Sequence, residues 1–577
     1  MKKVVLIISL ITGIVFAGQC KTINVQEYGA IVNDGKNDAH TLRAAVAEIV
    51  KHPGSVLYFP PGRYLLADDN AIKLQRDAMS GKLGNNPQDK IFNYDFKYVN
   101  GLDFTGAKNL TIEANGAELI CDGWMEPISL VNCEDITING LVIDYKRPPN
   151  SAGKIIKVGD RTVAVKFDDR YPVSDDLIFC RLMIYDLQKQ SLCGTSIYHN
   201  GKKLIAPQTI RFNLDDSQLE EGRILIGLHG FHFRPTILIY NSKNTILNDV
   251  SIHAQPGMGI VGHLSENITM NRLRIVPRKG RFVSSNTDAT HFATCRGFIH
   301  FFDCEFGGQG DDATNVHNYY LSPLLKLGDN RCKLLLDRKF GTHSCKKDYP
   351  KIGDTLAVIK RNTLKEVDYI KVTGLESTKR DLSYVIEYDG VLPDKLDEYY
   401  LANLSACPEL KFVGCHVRSH RARSVLVKTR RVLIEDCNIE NTTGTAIHIG
   451  AEGNWMEGVT SADVIVRNNK ITNCGLGGAG DGTIDRASAI AVHVNAEDRS
   501  EPGLHKRILI EGNVIEGGYH AISVKGAEDV IIRNNKFFQV ENIPIIVGSS
   551  RRVNIYSNKG ADDFTTEDGR PRPPVLE

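Results

Sequence analysis

The run Ile508-Leu509-Ile510-Glu511-Gly512-Asn513-Val514-Ile515 returns 22 residues later as Val530-Ile531-Ile532-Arg533-Asn534-Asn535-Lys536-Phe537. Alternation with a period of two marks a strand with one face buried, and a Gly or Asn followed by a second short apolar pair marks a corner and a second strand. The same frame fits Val464-Ile465-Val466 with Asn469 and Ile471, Val432-Leu433-Ile434 with Cys437 and Ile439, Ile299 to Phe301 with Cys304 and Phe306, and Ile268-Thr269-Met270 with Leu273 and Ile275. Collected, the position after the corner reads Asn115, Leu141, Val250, Leu273, Cys304, Cys415, Cys437, Asn469, Asn513, Asn535 and Asn558, with short steps of 22, 23 and 26 residues. A unit of this size made of short strands cannot bury its apolar side chains alone, and stacking closes the core. The reading is all-β: a right-handed parallel β-helix, with a file of Asn side chains bonded along the stack.

Two steps are far longer, 109 residues from 141 to 250 and 111 from 304 to 415. Removing one rung from each leaves two segments, residues 146–234 and 318–402, both carrying alternating stretches bounded by Asp, Gly or Pro, such as Thr162-Val163-Ala164-Val165 and Tyr384-Val385-Ile386. They are expected to be small antiparallel β domains inserted into a helix made of residues 22–145, 235–317 and 403–577.

Lys2 and Lys3 precede an apolar run over residues 4–17, too short to span a bilayer and built like a secretory signal, with Val15-Phe16-Ala17 at the cleavage position. An exported protein is expected, in the periplasm, at the cell surface or outside the cell, with a lipid anchor at Cys20 as the alternative and no membrane span. With 70 Lys and Arg against 69 Asp and Glu and no run of like charge, a nucleic-acid partner is excluded and an uncharged partner expected. Oligomeric state is left open. Of 13 Cys, three fall in the inward file, where a thiol packs as a small hydrophobe, although stacked thiols also permit pairing. No Cys-x-x-Cys or His-x-x-x-His spacing indicates a metal, and no cofactor is expected.

Asn286-Thr287-Asp288 and Gly310-Asp311-Asp312 are one rung apart, since 23 and 24 residues separate Asp288 from the two later acids. Three carboxylates therefore meet at one angular position, as surface acids on turns. Like charges at that distance raise one pKa, which sets a protonated acid beside ionised ones, the requirement of glycoside hydrolysis. If Ile447 and Ile449 point inward, His448 points out, and so do His291, Asn315, His317, Lys428 and His493. This polar ladder suits a sugar. Arg423, Glu452 and Trp455 join these as binding candidates, Trp455 by stacking on a ring.

The opening Val25-Gln26-Glu27-Tyr28-Gly29-Ala30, with Asn33-Asp34-Gly35-Lys36-Asn37-Asp38 and Phe59-Pro60-Pro61-Gly62-Arg63-Tyr64, resembles the pectinase-type β-helix enzymes. Asn-Thr-Asp followed by Gly-Asp-Asp is similar to the polygalacturonases of glycoside hydrolase family 28, but their Gly-His-Gly is absent and their Arg-Ile-Lys survives only as Arg423 to Lys428. With Gly308-Gln309-Gly310-Asp311-Asp312-Ala313-Thr314-Asn315-Val316-His317 and the two insertions, the layout resembles glycoside hydrolase family 110. That resemblance implies an exo-acting, inverting α-1,3-galactosidase that removes terminal galactose from glycans such as the blood group B determinant. It implies Asp311 as general acid and Asp288 with Asp312 as the pair that activates water, with Asp288 about 6.5–9.5 Å from the acid. Two alternatives stay open: an endo-acting polygalacturonase-like hydrolase of pectic polymer, and a non-catalytic β-helix carbohydrate-binding protein.

Overall fold

The computed structural model describes residues 20–336, 342–377, 383–477, 488–561 and 565–566. The signal segment and part of the Gly-rich stretch 475–482 lie outside the described residues. Three long sheets run the length of the molecule, of 13, 11 and 13 strands; complete rungs contribute one strand to each, and Glu457–Gly458 joins the third from outside the stack, antiparallel to it. Within the stack all pairing is parallel. In the first sheet Ile508, Leu509 and Ile510 sit beside Val530, Ile531 and Ile532, and in the second Ile515 sits beside Phe537. The inward members of all but the end rungs are buried, and they merge into one continuous apolar core.

The corner before the second sheet explains the sequence signal. At each rung one residue there has a positive φ, among them Asp303 at 53°, Asp436 at 53°, Asn468 at 56°, Gly512 at 68° and Asn534 at 57°. Gly, Asn and Asp tolerate that conformation best, hence their recurrence. The following residue turns inward. Asn469, Asn513, Asn535 and Asn558 form a ladder in which each side-chain Nδ2 donates to the next Oδ1 at 3.0 Å, and each backbone N–H donates to that same oxygen at 3.0 Å. Cys304, Cys415 and Cys437 continue the file as buried thiols, and no disulfide forms among the described cysteines. One member of the file is corrected. Asn115 is itself the exposed positive-φ corner, at 47°, and the buried position beneath Leu141 is Ala117, because that rung has two extra residues at its turn.

The helix Ala39–Ile49 lies at the N-terminal end, with Ala39, Leu42, Ala45, Val46 and Ile49 buried at helical spacing. It caps an apolar stack whose first rung would otherwise face water. Between rungs, Asn150–Gly159 through Ile224–Leu228 form a seven-stranded antiparallel sheet, and Ser322–Lys326 through Tyr399–Asn403 form a six-stranded one. Both lie against the third sheet, which carries the acids.

Candidate active site

The third sheet places the site by register. Gln255, Ser285 and Gln309 are bridged in parallel, so Asp288 and Asp312, each three residues further on, occupy successive rungs, and Ala289 N–H donates to Asp312 O at 2.9 Å. On the next rung Thr314 pairs with Val425, which sets Arg423 above Asp312. One carboxylate oxygen from each of Asp288, Asp311 and Asp312 lies within 4.8 Å of the others. The expected surface acids are corrected here. Asp288 is 5% exposed and Asp312 4%, while the Asp311 side chain retains 23%. Buried carboxylates demand partners, and each has found one, arginine for Asp311 and Asp312 and histidine for Asp288.

Asp312 is clamped by Arg423, whose backbone N–H and Nε donate to Oδ1 at 2.8 and 3.3 Å and whose Nη2 donates to Oδ2 at 3.1 Å. Asp288 Oδ2 lies 2.6 Å from His291 Nδ1. Asp311 is met by Arg421 at 2.7 Å and by Arg181 of the first insertion at 4.0 Å, the latter guanidinium held 3.5 Å over the Phe231 ring. These surroundings divide the charge. Burial, then the neighbouring Asp312 and Asp311, push the Asp288 carboxyl well above the usual range. Burial pushes Asp312 up to about 6 against the pull of Arg423. At Asp311 burial also pushes upward, but Arg421, Arg181 and Arg423 together outweigh it and hold that carboxyl below its ordinary value.

Around the acids the ladder appears as two outward files. Paired positions give His291, Asn315, Leu426, His448 and Ala491 in one, and Ala293, His317, Gly450 and His493 in the other. Lys428 follows its strand directly. All six polar members are buried, so the ladder is a roofed network interrupted by Leu426 and Ala491 rather than an open face. His448 and His493 stack at 4.4 Å. Arg423, Lys428, Glu452 and Glu457 form a chain of ion pairs: Arg423 to Glu452 at 2.7 Å, Lys428 to Glu452 at 2.6 Å and Lys428 to Glu457 at 2.7 Å. A groove of about 540 Å³ opens on the second sheet instead, but its Arg278 and Arg281 are both paired with Asp144. The clusters of titratable groups are on the third.

Residues 401–559 match the family described as right handed beta helix region. Over 561 residues the chain is 28% identical to Alpha-1,3-galactosidase A of Bacteroides fragilis, covering 92% of this chain and 90% of that protein. It is 27% identical over 483 residues to Alpha-1,3-galactosidase B of Bacteroides thetaiotaomicron, covering 78% and 75%. The chain resembles the α-1,3-galactosidases along nearly its whole length. Among solved structures, an exopolygalacturonase from Thermotoga maritima superposes with a TM-score of 0.44 at 12% identity, covering 96% of this chain and 94% of that one.

In this galactosidase-like chain the structure brings Asp288, Asp311, Asp312, His291, Asn315, His317, Arg423, Lys428, His448 and Glu452 into one buried network. Glu452 is spent on Arg423 and Lys428. Trp455 stands 56% exposed on the turn Gly453–Trp455, between Glu452 and Glu457, as an open aromatic surface. Sequence reasoning missed Arg421, Arg181, His343 and Glu457. Arg421 had a signal, since alternation around Arg423 puts both arginines of Arg421-Ala422-Arg423 on one side. Arg181 and His343 had none, because insertions carry no rung register. One oxygen of each acid reaches within 4.8 Å of the others, a measure of nearest atoms distinct from the carboxyl-to-carboxyl gap of about 6.5–9.5 Å expected between acid and base.

Proposed function

We propose that the protein is an exo-acting glycosidase that hydrolyses terminal α-1,3-linked galactose, with inversion, from glycans of the blood group B type. The observation that carries it is the cluster of three carboxylates with divided protonation, in a chain similar over almost its full length to proteins named α-1,3-galactosidase. Walls contributed by both insertions favour a chain end over a continuous polymer. Near the acids, Arg423 and Lys428 are matched by Asp312, Glu452 and Glu457, while Arg181 and Arg421 share Asp311.

Asp311 is the most exposed of the three, so it is the one a leaving group reaches, and it takes the general acid role. The proton held by its neighbours in the free site lies a short transfer away. Asp288 and Asp312 hold the water. Both oxygens of Asp312 are occupied by Arg423 and one of Asp288 by His291, which immobilises them for orienting water and opposes the advance a covalent nucleophile makes. A second reading rests on Arg421 and Arg181, which hold Asp311 as an anion and would give it the base role, with the proton donated by a neighbour.

One series of assays tests both. Free galactose is expected from an α-1,3-galactosyl disaccharide, with β-galactose as the first anomer by proton NMR and no reducing ends from polygalacturonate. Initial α-galactose would overturn the inverting assignment. With an aryl galactoside whose leaving group needs no proton, Asp311→Asn is expected to retain activity that it loses on the disaccharide; equal loss on both assigns Asp311 the base role instead. Export rests on residues 1–17 and is tested by the mature N-terminus of the secreted protein, expected near residue 18.

A further inference from the structure

Beside the acids lies a second cluster, of which the proposed cleavage uses only His291, as the partner of Asp288. His291, His317, His343 and Glu457 are each at most 6% exposed, and one ligand atom from each lies within 4.8 Å of all the others. They arrive from four places: the rung strands Thr290–Ala293 and Thr314–Tyr319, the second insertion, and the short antiparallel strand Glu457–Gly458. We propose that this cluster is a structural zinc site, with His291, His317 and His343 as nitrogen ligands and Glu457 Oε1 as the fourth.

The hydrogen bonds argue for a cation. His317 Nδ1 lies 2.9 Å from the Asn318 carbonyl oxygen, which only accepts, so Nδ1 carries the proton and Nε2 the lone pair. His291 Nδ1 lies 2.6 Å from Asp288 Oδ2, and its Nε2 faces His317 Nε2 at 2.7 Å. Two ring nitrogens this close share a single proton or metal ion between them. His343 Nδ1 is 2.9 Å from the Tyr319 hydroxyl, so in all three imidazoles one nitrogen is anchored to an oxygen, the outer-shell arrangement that fixes ring orientation at metal sites. Glu457 is divided in the same way. Its Oε2 accepts from Lys428 Nζ at 2.7 Å and Asn315 Nδ2 at 3.0 Å, while Oε1 faces His317 Nε2 at 3.8 Å.

Three imidazoles and one carboxylate suit four-coordinate zinc at about 2.0–2.2 Å, which requires the two facing nitrogens to part to about 3.3 Å. With four protein ligands the site is closed, so the ion serves architecture. It fastens the second insertion through His343 onto the rungs, and it fixes His291 against Asp288.

The test uses the full-length protein, stripped with a chelator and titrated with zinc chloride. One zinc per chain by elemental analysis, a raised melting temperature, and visible bands of four-coordinate cobalt on cobalt substitution are expected. Glu457→Gln, which changes no volume, and His343→Ala, which lies outside the rungs, are expected to weaken zinc binding by roughly 100-fold or more with β circular dichroism retained. His300→Ala, a half-buried histidine bonded to Glu409, is expected to bind as the wild type does. A wild-type protein that takes up no zinc, or Glu457→Gln and His343→Ala proteins that bind it unchanged, would overturn the site and leave an additional proton as what joins the two imidazoles.

Discussion

The third sheet runs through two regions that share one backbone and differ in what they point outward. In the middle rungs the file reads His291, Asn315, Leu426, His448; in the last rungs it continues as Ala491, Ser523, Ile546 in unbroken parallel register. Inward, the last rungs carry Ile and Val, and the middle ones add Thr290, Phe292 and Thr314. The middle region is roofed by the insertions, which bury Asp288, Asp312, Arg423, Lys428 and Glu452 where charges persist only in pairs. The last region buries a neutral Asn ladder whose members satisfy one another. A solenoid thus separates its two tasks: the inner face holds the stack together, and the outer face of three or four rungs is free for chemistry once something excludes water from it.

The largest effect should come from the acids. Asn at Asp288, Asp311 or Asp312 is expected to lower galactose release from the disaccharide by about 10²–10⁴-fold with the β circular dichroism spectrum kept. Near-normal turnover in any of them would move chemistry away from that position. The pH profile sharpens this. Because the Asp312 carboxyl sits at about 6 and must be ionised to act on water, kcat/KM of the free enzyme should fall as pH drops through about 6.

Next in size is the charge network. Arg423→Ala strands the buried carboxylate of Asp312 and leaves Glu452 with Lys428 alone, and is expected to cost about 3–5 kcal/mol in denaturant unfolding. In the last rungs Asn513→Ala removes the acceptor of the Asn469 N–H and side-chain amide and the donor to Asn535, for about 1–3 kcal/mol per group left unsatisfied. The smallest effect is expected for Arg272→Ala. Its pair with Asp249 at 2.7 Å has side chains 57% and 54% exposed, and its loss should cost less than about 1 kcal/mol. If Arg272→Ala and Arg423→Ala prove equally damaging, the contrast between roofed and exposed charges fails.

The sequence by itself determined the β-helix and the meeting of Asp288, Asp311 and Asp312, because both follow from spacing. A rung of 22 to 24 residues is short, repeated and set by strand pairing, so positions one rung apart are neighbours in space wherever the register is unbroken. Two extra residues at one turn were enough to displace the reading from Ala117 to Asn115. What lies outside that register only the tertiary structure decided. Arg181 and His343 come from inserted sheets whose placement over the third sheet depends on packing between distant segments, and Glu457 from a strand that runs antiparallel to the stack. Their arrival turned acids expected at the surface into buried ones and distributed the protons among them, because burial and the distance to a guanidinium set a carboxyl's pKa, and neither quantity is carried by the order of residues along the chain.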